Sequence, residues 1–226
     1  MNLFDILGPV MVGPSSSHTA GAVRIGYACR KLLGSKPAKA NIELHGSFED
    51  TGKGHGTDKA IIAGLLGMKT DDERIPNSFN IANKEQMNFE ITSANLKGVG
   101  PNSVRLTLEA ALGRRLKVVA SSLGGGRISI ESIDDIETHF SGDSPTLIVH
   151  NMDQPGHVAE VTLALAHKSV NIATLNLYRN KRGGYAVMIV EVDQAIPKDV
   201  IDWLEHLEGV IKVTYLNVNE DVITNL

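Results

Sequence analysis

The chain has 226 residues, a formal net charge of −4 and one cysteine. That length accommodates two domains, and a slightly acidic balance without a basic run argues against nucleic acid or an anionic membrane as partner. A single thiol excludes an internal disulfide, a Cys-rich zinc site and a self-contained iron–sulfur cluster.

Four Tyr, five Phe and one Trp leave little material for base-stacking platforms. The apolar runs are shorter than a membrane span. The N-terminus lacks the basic start and apolar core of a signal peptide, so a cytoplasmic protein is expected.

Residues 1–12 read as a short apolar helix or anchor around Leu3, Phe4, Ile6 and Leu7, running into Gly8-Pro9. Gly13-Pro14-Ser15-Ser16-Ser17-His18-Thr19 follows and opens directly onto an amphipathic pattern. Ala22, Ile25, Ala28, Cys29, Leu32 and Leu33 recur at helical spacing, with Arg24, Arg30 and Lys31 between them. The spacing predicts a helix of about four turns from His18 or Thr19, ending at Gly34, a natural C-terminal stop. Cys29 falls on its apolar face as a buried, inert thiol. A helix start gathers unpaired N–H groups and a partial positive charge, which suits a carboxylate or phosphate. His18 adds a ring whose charge changes near neutral pH. A plain N-cap needs one hydroxyl; four hydroxyls with a histidine tilt the reading towards a site.

Ala38 to Gly46 reads as a strand, with Ile42 and Leu44 alternating against polar neighbours. Thr51-Gly52-Lys53-Gly54-His55-Gly56-Thr57-Asp58-Lys59 is a second glycine-rich loop, feeding a helix with Ile61, Ile62, Leu65 and Leu66 and with Thr57 or Asp58 as cap. It lacks the Gly-Lys-Ser/Thr ending of a Walker loop, and the third glycine of a dinucleotide fingerprint would fall on Thr57. Backbone N–H groups there can still cradle an anion, with Lys53 and Lys59 near. A lone His55 in such a loop is more often solvated than catalytic. A polar loop over 70–78 precedes strands at Phe89–Thr92, Val104–Glu109, Lys117–Leu123 and Ile128–Ile133. The intervening Gly124-Gly125-Gly126 implies a tight turn or a close approach of backbone to ligand. The expected first domain is α+β, an antiparallel sheet with two helices.

The polar stretch from Asp134 to Pro145 marks the domain boundary, giving domains 1–144 and 145–226. Beyond it, Leu147–His150 is a strand and Asp153-Gln154-Pro155-Gly156 a turn that caps a helix with Val158, Val161 and Leu165 on one face. Val170–Tyr178 and Tyr185–Val192 are strands about a Lys181-Arg182-Gly183-Gly184 turn. Pro197 starts a helix with Val200, Trp203, Leu204 and Leu207 inward, Gly209 ends it, and Ile211–Val218 is the last strand. The order is βαββαβ, the ferredoxin-like arrangement.

This second domain resembles the ACT family of small-molecule-sensing modules, on the Asp153-x-Pro155-Gly156 turn after the first strand and the complete element order. The resemblance implies amino-acid binding at a subunit interface near that turn, with Asp153, Gly156 and His157 as effector-side residues and contacts between copies in a homodimer. Read from the residues alone, Asp153 is equally a helix cap. The 13–19 and 51–60 motifs and the triple glycine, in that order and followed by an ACT domain, resemble the beta chain of bacterial iron–sulfur-dependent L-serine dehydratases. The first domain is also similar to an intervening, anion-binding regulatory domain of some phosphoglycerate dehydrogenases.

The dehydratase resemblance implies a separate alpha subunit whose cysteines hold an oxygen-sensitive 4Fe–4S cluster, with no metal ligand on this chain, in an assembly such as a heterodimer. It implies deamination of L-serine to pyruvate and ammonia, within serine catabolism and gluconeogenesis. A base takes the α-proton while iron assists the departing hydroxyl. Ser15, Ser16, Ser17 and Thr19 become candidates for the serine carboxylate, and His18 for an acid/base or orienting group. Gly54, His55, Gly56, Thr57, Gly124, Gly125 and Gly126 are site-adjacent. The alternative is a non-catalytic regulatory subunit that senses an amino acid or a phosphorylated metabolite.

Overall fold

The computed structural model describes residues 10–217, so the apolar start expected around Leu3–Leu7 and the end of the last strand at Val218 lie outside the described residues. Contacts divide the chain into two compact units between Asp135 and Ile136.

In the first unit, a π-helical turn at Ser16–Gly21 runs into α1 (Ala22–Leu33), which closes at Gly34 in the left-handed conformation (φ 82°). The expected helix is there, with a wider first turn. Next come β1 (Pro37–Gly46), two short helices, α2 (Ser47–Asp50) and α3 (Gly52–His55), and α4 (Thr57–Leu65). The glycine-rich stretch is therefore helical rather than an open loop. Neither Thr57 nor Asp58 caps α4: Gly56, at φ 69°, occupies the cap position and no side chain bonds there. Within the polar 70–78 stretch and just after it lie a short 3-10 turn at Ile75–Asn77 and α5 (Ser78–Lys84).

The strands β2 (Asn88–Ser93), β3 (Asn102–Ala110), β4 (Arg115–Gly124) and β5 (Arg127–Ile133) complete the first unit's sheet, order β2-β1-β3-β4-β5. The sheet is mixed, not antiparallel throughout: β1 and β2 pair in parallel, Ile42 opposite Ile91. The helices between them supply the crossover that a parallel pair requires. The strand β6 (Ile136–Phe140), which opens the second unit, falls within the stretch read as a polar linker. Its Thr138 and Phe140 are buried on one face, and two such residues in an alternating run suffice for a half-buried strand.

One sheet face carries Ile42, Leu106 and Val118 in register, all fully buried, and α1 packs on this sheet. Burial raises the Cys29 thiol pKa well above its ordinary range. Helices α1 and α4 touch through backbone. A Cβ on Gly26 would overlap the Ile61 carbonyl oxygen, and one on Gly64 the Val23 carbonyl oxygen. Two glycines thus hold the first half of α1 against the second half of α4 at one fixed separation. On the opposite sheet face, Arg105 grips Glu43 with both arms at 2.5 and 2.6 Å.

The second unit has a four-stranded antiparallel sheet, order β10-β7-β9-β8, from β7 (Thr146–Met152), β8 (Ile172–Arg179), β9 (Tyr185–Val192) and β10 (Val210–Leu216). With α6 (His157–His167) and α7 (Lys198–Glu205), it realises the βαββαβ order. Leu147, Val149, Val161, Leu165, Met188, Val190 and Leu204 share its core. Val158 and Trp203 do not point inward as expected; they are 39% and 49% exposed. The buried stripes are Val161–Leu165 and Val200–Leu204, each one helical turn long; Trp203 lies off the second, and Val158 sits one turn before the first, at the exposed start of α6. Helix α7 stops at Glu205, short of Gly209, which sits in the turn before β10.

Candidate functional site

The three glycine- and hydroxyl-rich motifs, far apart in the chain, meet at the entrance to α1. Ser15, in extended conformation, is the N-cap: its Oγ accepts the His18 backbone N–H at 3.1 Å. Within this tight cap the side chains of Ser15, Ser17 and His18 lie against one another. Ser17 Oγ lies 3.3 Å from Ser15 Oγ and 3.0 Å from Nδ1 of His18. A π turn is rare and often marks a functional position in a helix. Here it joins directly to the glycine hairpin of β4 and β5. Gly125 N–H donates to Ser16 Oγ at 3.3 Å, Gly126 N–H to the Ser16 carbonyl at 3.2 Å, and Arg24 Nη1 to the Gly126 carbonyl at 2.9 Å. Gly124, Gly125 and Gly126 all have positive φ (84°, 61° and 77°), so the three glycines serve the turn as well as the contact.

His18 reaches across to the segment after β1. Its Nε2 lies 3.0 Å from Ser47 Oγ, 3.0 Å from Thr51 Oγ1 and 3.2 Å from the Ser47 carbonyl. The buried Phe48 ring meets the imidazole edge-on at 5.4 Å, and the His55 ring leans on it at 5.1 Å between centroids. His55 is exposed on the short helix α3, and its Nδ1 lies 3.2 Å from the Thr51 carbonyl. Gly54 lies within that helix and Gly56 forms the bend to α4.

Other expected site residues take internal roles. Thr19 is 3% exposed, and its hydroxyl donates to the His55 carbonyl at 3.2 Å, tying α3 to the π turn. Thr57 is wholly buried and its Oγ1 has no hydrogen-bond partner. Ser47, Phe48, Thr51 and Arg24 join the cluster unforeseen. Thr51 opens the second motif and was the one sequence signal at hand.

In the second unit, Asp153 does not cap α6, whose cap position is Gly156 at φ 109°. Its Oδ2 instead accepts Gly183 N–H at 2.9 Å and Arg179 Nη1 at 3.1 Å, joining the turn after β7 to the β8–β9 hairpin. The Gly183 amide and the Arg179 guanidinium hold its carboxyl below the usual carboxylate range. His157 is 6% exposed, neither ring nitrogen has a hydrogen-bond partner, and the Glu160 carboxylate lies 3.5 Å from Nδ1.

No three His, Cys, Asp or Glu side chains converge as a metal site among the described residues. Iron–sulfur ligation uses several thiolates, and Cys29 is a single buried thiol. These residues do not fit a 4Fe–4S cluster. No helix among the described residues is long and apolar enough to cross a membrane.

The family model described as serine dehydratase beta chain matches residues 2–112. The chain is 41% identical to the probable L-serine dehydratase beta chain of Bacillus subtilis, over 94% of this chain and 96% of that one. It is 35% identical to the L-serine dehydratase beta chain of Peptoniphilus asaccharolyticus, over 95% of this chain and 97% of that one. Among solved structures, the ACT domain from GTP pyrophosphokinase of Chlorobium tepidum covers 32% of this chain and 95% of its own, at 22% identity and a TM-score of 0.25.

Proposed function

The chain belongs to the serine dehydratase beta chain family and is an L-serine ammonia-lyase subunit, and from that premise we propose that the Ser15–His18 turn is its contribution to the serine site. The observation that carries this reading is convergence: Ser16 holds Gly125, and His18 holds Ser47, Thr51 and the His55 ring. A structural cap would need Ser15 alone.

In this reading, Ser15, Ser16 and Ser17 offer hydroxyls to the serine carboxylate, and His18 is the acid/base group beside them. Thr19 keeps His55 in place, and Gly54, Gly56 and the triple glycine shape the walls. The reacting species includes an alpha chain, and a 4Fe–4S cluster, where the enzyme carries one, is ligated there. The complex works in the cytoplasm. Co-expression with the alpha chain should yield a brown, oxygen-labile complex that converts serine to pyruvate and ammonia. His18→Ala should abolish most of that turnover, and near-normal turnover would remove His18 from the mechanism.

The second unit adds regulation to this proposal. An amino-acid effector would sit by Gly156 and His157, supported by the buried His157 ring at the start of α6, whose nitrogens have no hydrogen-bond partner. Asp153 shapes that turn. A second copy of the unit would complete the effector site. Calorimetric titration of the chain with amino acids tests this, and His157→Ala should remove any binding seen.

A further inference from the structure

The partners of His18 favour one tautomer of a neutral ring. A carbonyl oxygen only accepts, so the Ser47 carbonyl 3.2 Å from Nε2 favours a proton on that nitrogen. The Thr51 hydroxyl donates to the same carbonyl at 2.8 Å and therefore meets Nε2, 3.0 Å away, as an acceptor. Ser47 Oγ offers a further acceptor at 3.0 Å. With Nε2 protonated, Nδ1 of a neutral ring holds the lone pair and accepts the Ser17 hydroxyl proton across 3.0 Å. Ser17 Oγ is then left to accept from Ser15, whose own oxygen takes the His18 backbone N–H. The hydroxyls and the ring form one row of hydrogen bonds pointing the same way.

We infer that Ser47 and Thr51 are positioning residues: they clamp Nε2 of His18, so that the ring takes up a proton at Nδ1, through the Ser17 hydroxyl. This rests on the reading of the Ser15–His18 turn as part of the serine site. As a proton leaves the α-carbon of serine, the C–H electron pair stays on carbon. The Ser17 oxygen gains that proton while its own passes to Nδ1, and His18 becomes an imidazolium still bonded through Nε2 to Ser47 and Thr51. The extra proton leaves for solvent along the partly exposed Ser17–Ser15 hydroxyls. His55, the other imidazole against this ring, is oriented separately, because the Thr51 carbonyl accepts its Nδ1–H.

The test uses the full chain labelled with 15N-histidine, and the complex with the alpha chain for turnover. Wild-type spectra should show His18 as the Nε2–H tautomer. The double variant Ser47→Ala/Thr51→Val should mix its tautomers and lower kcat roughly a hundredfold, with KM for serine changed less than about threefold. Thr51→Ser, which keeps the hydroxyl, should retain both the tautomer and the rate. Unchanged His55 signals in the double variant separate loss of the clamp from collapse of the loop. A double variant whose His18 stays Nε2–H overturns the clamp, and so does Thr51→Ser behaving as the double variant. Mixed tautomers with unchanged turnover overturn the proton route and with it the role of His18 in the reaction.

Discussion

The rings of His18 and His55 lean on each other, centroids 5.1 Å apart and planes tilted by 42°. Backbone carbonyls favour opposite tautomers for them: the Ser47 carbonyl faces Nε2 of His18, and the Thr51 carbonyl faces Nδ1 of His55. In those tautomers the lone pair of His18 is turned to the hydroxyl row and that of His55 away from Thr51. Two bases so joined should fail together. In the complex, His18→Ala and His55→Ala should each cost on the order of a hundredfold in kcat, and the double variant should fall far short of the product of the two. Steady-state rates across the four proteins check this.

The approach of α1 to α4 leaves no space for a methyl group. Gly26→Ala or Gly64→Ala should destabilise the first unit by about 3 kcal/mol, the upper end for overpacking, because backbone rather than a side chain lies in the way. Urea unfolding curves measure it. Turnover should fall as well, since these helices carry the two halves of the site.

The contact between Ser16 and Gly125 makes a smaller, cleaner prediction. Nothing lies within 4 Å of a Cβ built on Gly125, so Gly125→Ala meets only the penalty of its positive φ, about 1 kcal/mol. Ser16→Ala removes the acceptor of Gly125 N–H and should cost about 1 kcal/mol. Both are read from denaturant midpoints.

Acid should weaken the sheet through Glu43. The Arg105 guanidinium, bonded to both carboxylate oxygens, holds Glu43 below the usual carboxylate range. A lowered folded-state pKa contributes stability above the unfolded value of about 4.3 and loses it as pH falls through the folded value. Glu43→Gln should accordingly narrow the stability gap between about pH 7 and pH 3. Urea midpoints at the two pH values test it.

Much of this arrangement is legible in the order of residues. The apolar spacing of Ala22 to Leu33 specifies α1, and alternation specifies β3 to β5 because each has one buried face. Local pattern says little about partners, so the parallel pairing of β1 with β2 required the crossover to be seen in three dimensions. The strand β6 escaped notice because only Thr138 and Phe140 turn inward within polar surroundings. At the site, Ser15 to His18 stand out by density, whereas Ser47 and Thr51 are ordinary hydroxyl residues with no periodic signal. Their meeting with His18 depends on how α1 and α4 pack. Asp153 reads as a cap from its position, yet the β8–β9 hairpin competes for its carboxylate and wins with a backbone amide and an arginine.

The most direct measurement is a structure of the complex with the alpha chain, trapped with serine. The bound carboxylate should lie within hydrogen-bond distance of the Ser15–Ser17 hydroxyls, with the α-carbon facing Ser17 and His18. Serine held elsewhere, with that turn open to solvent, would contradict the assignment.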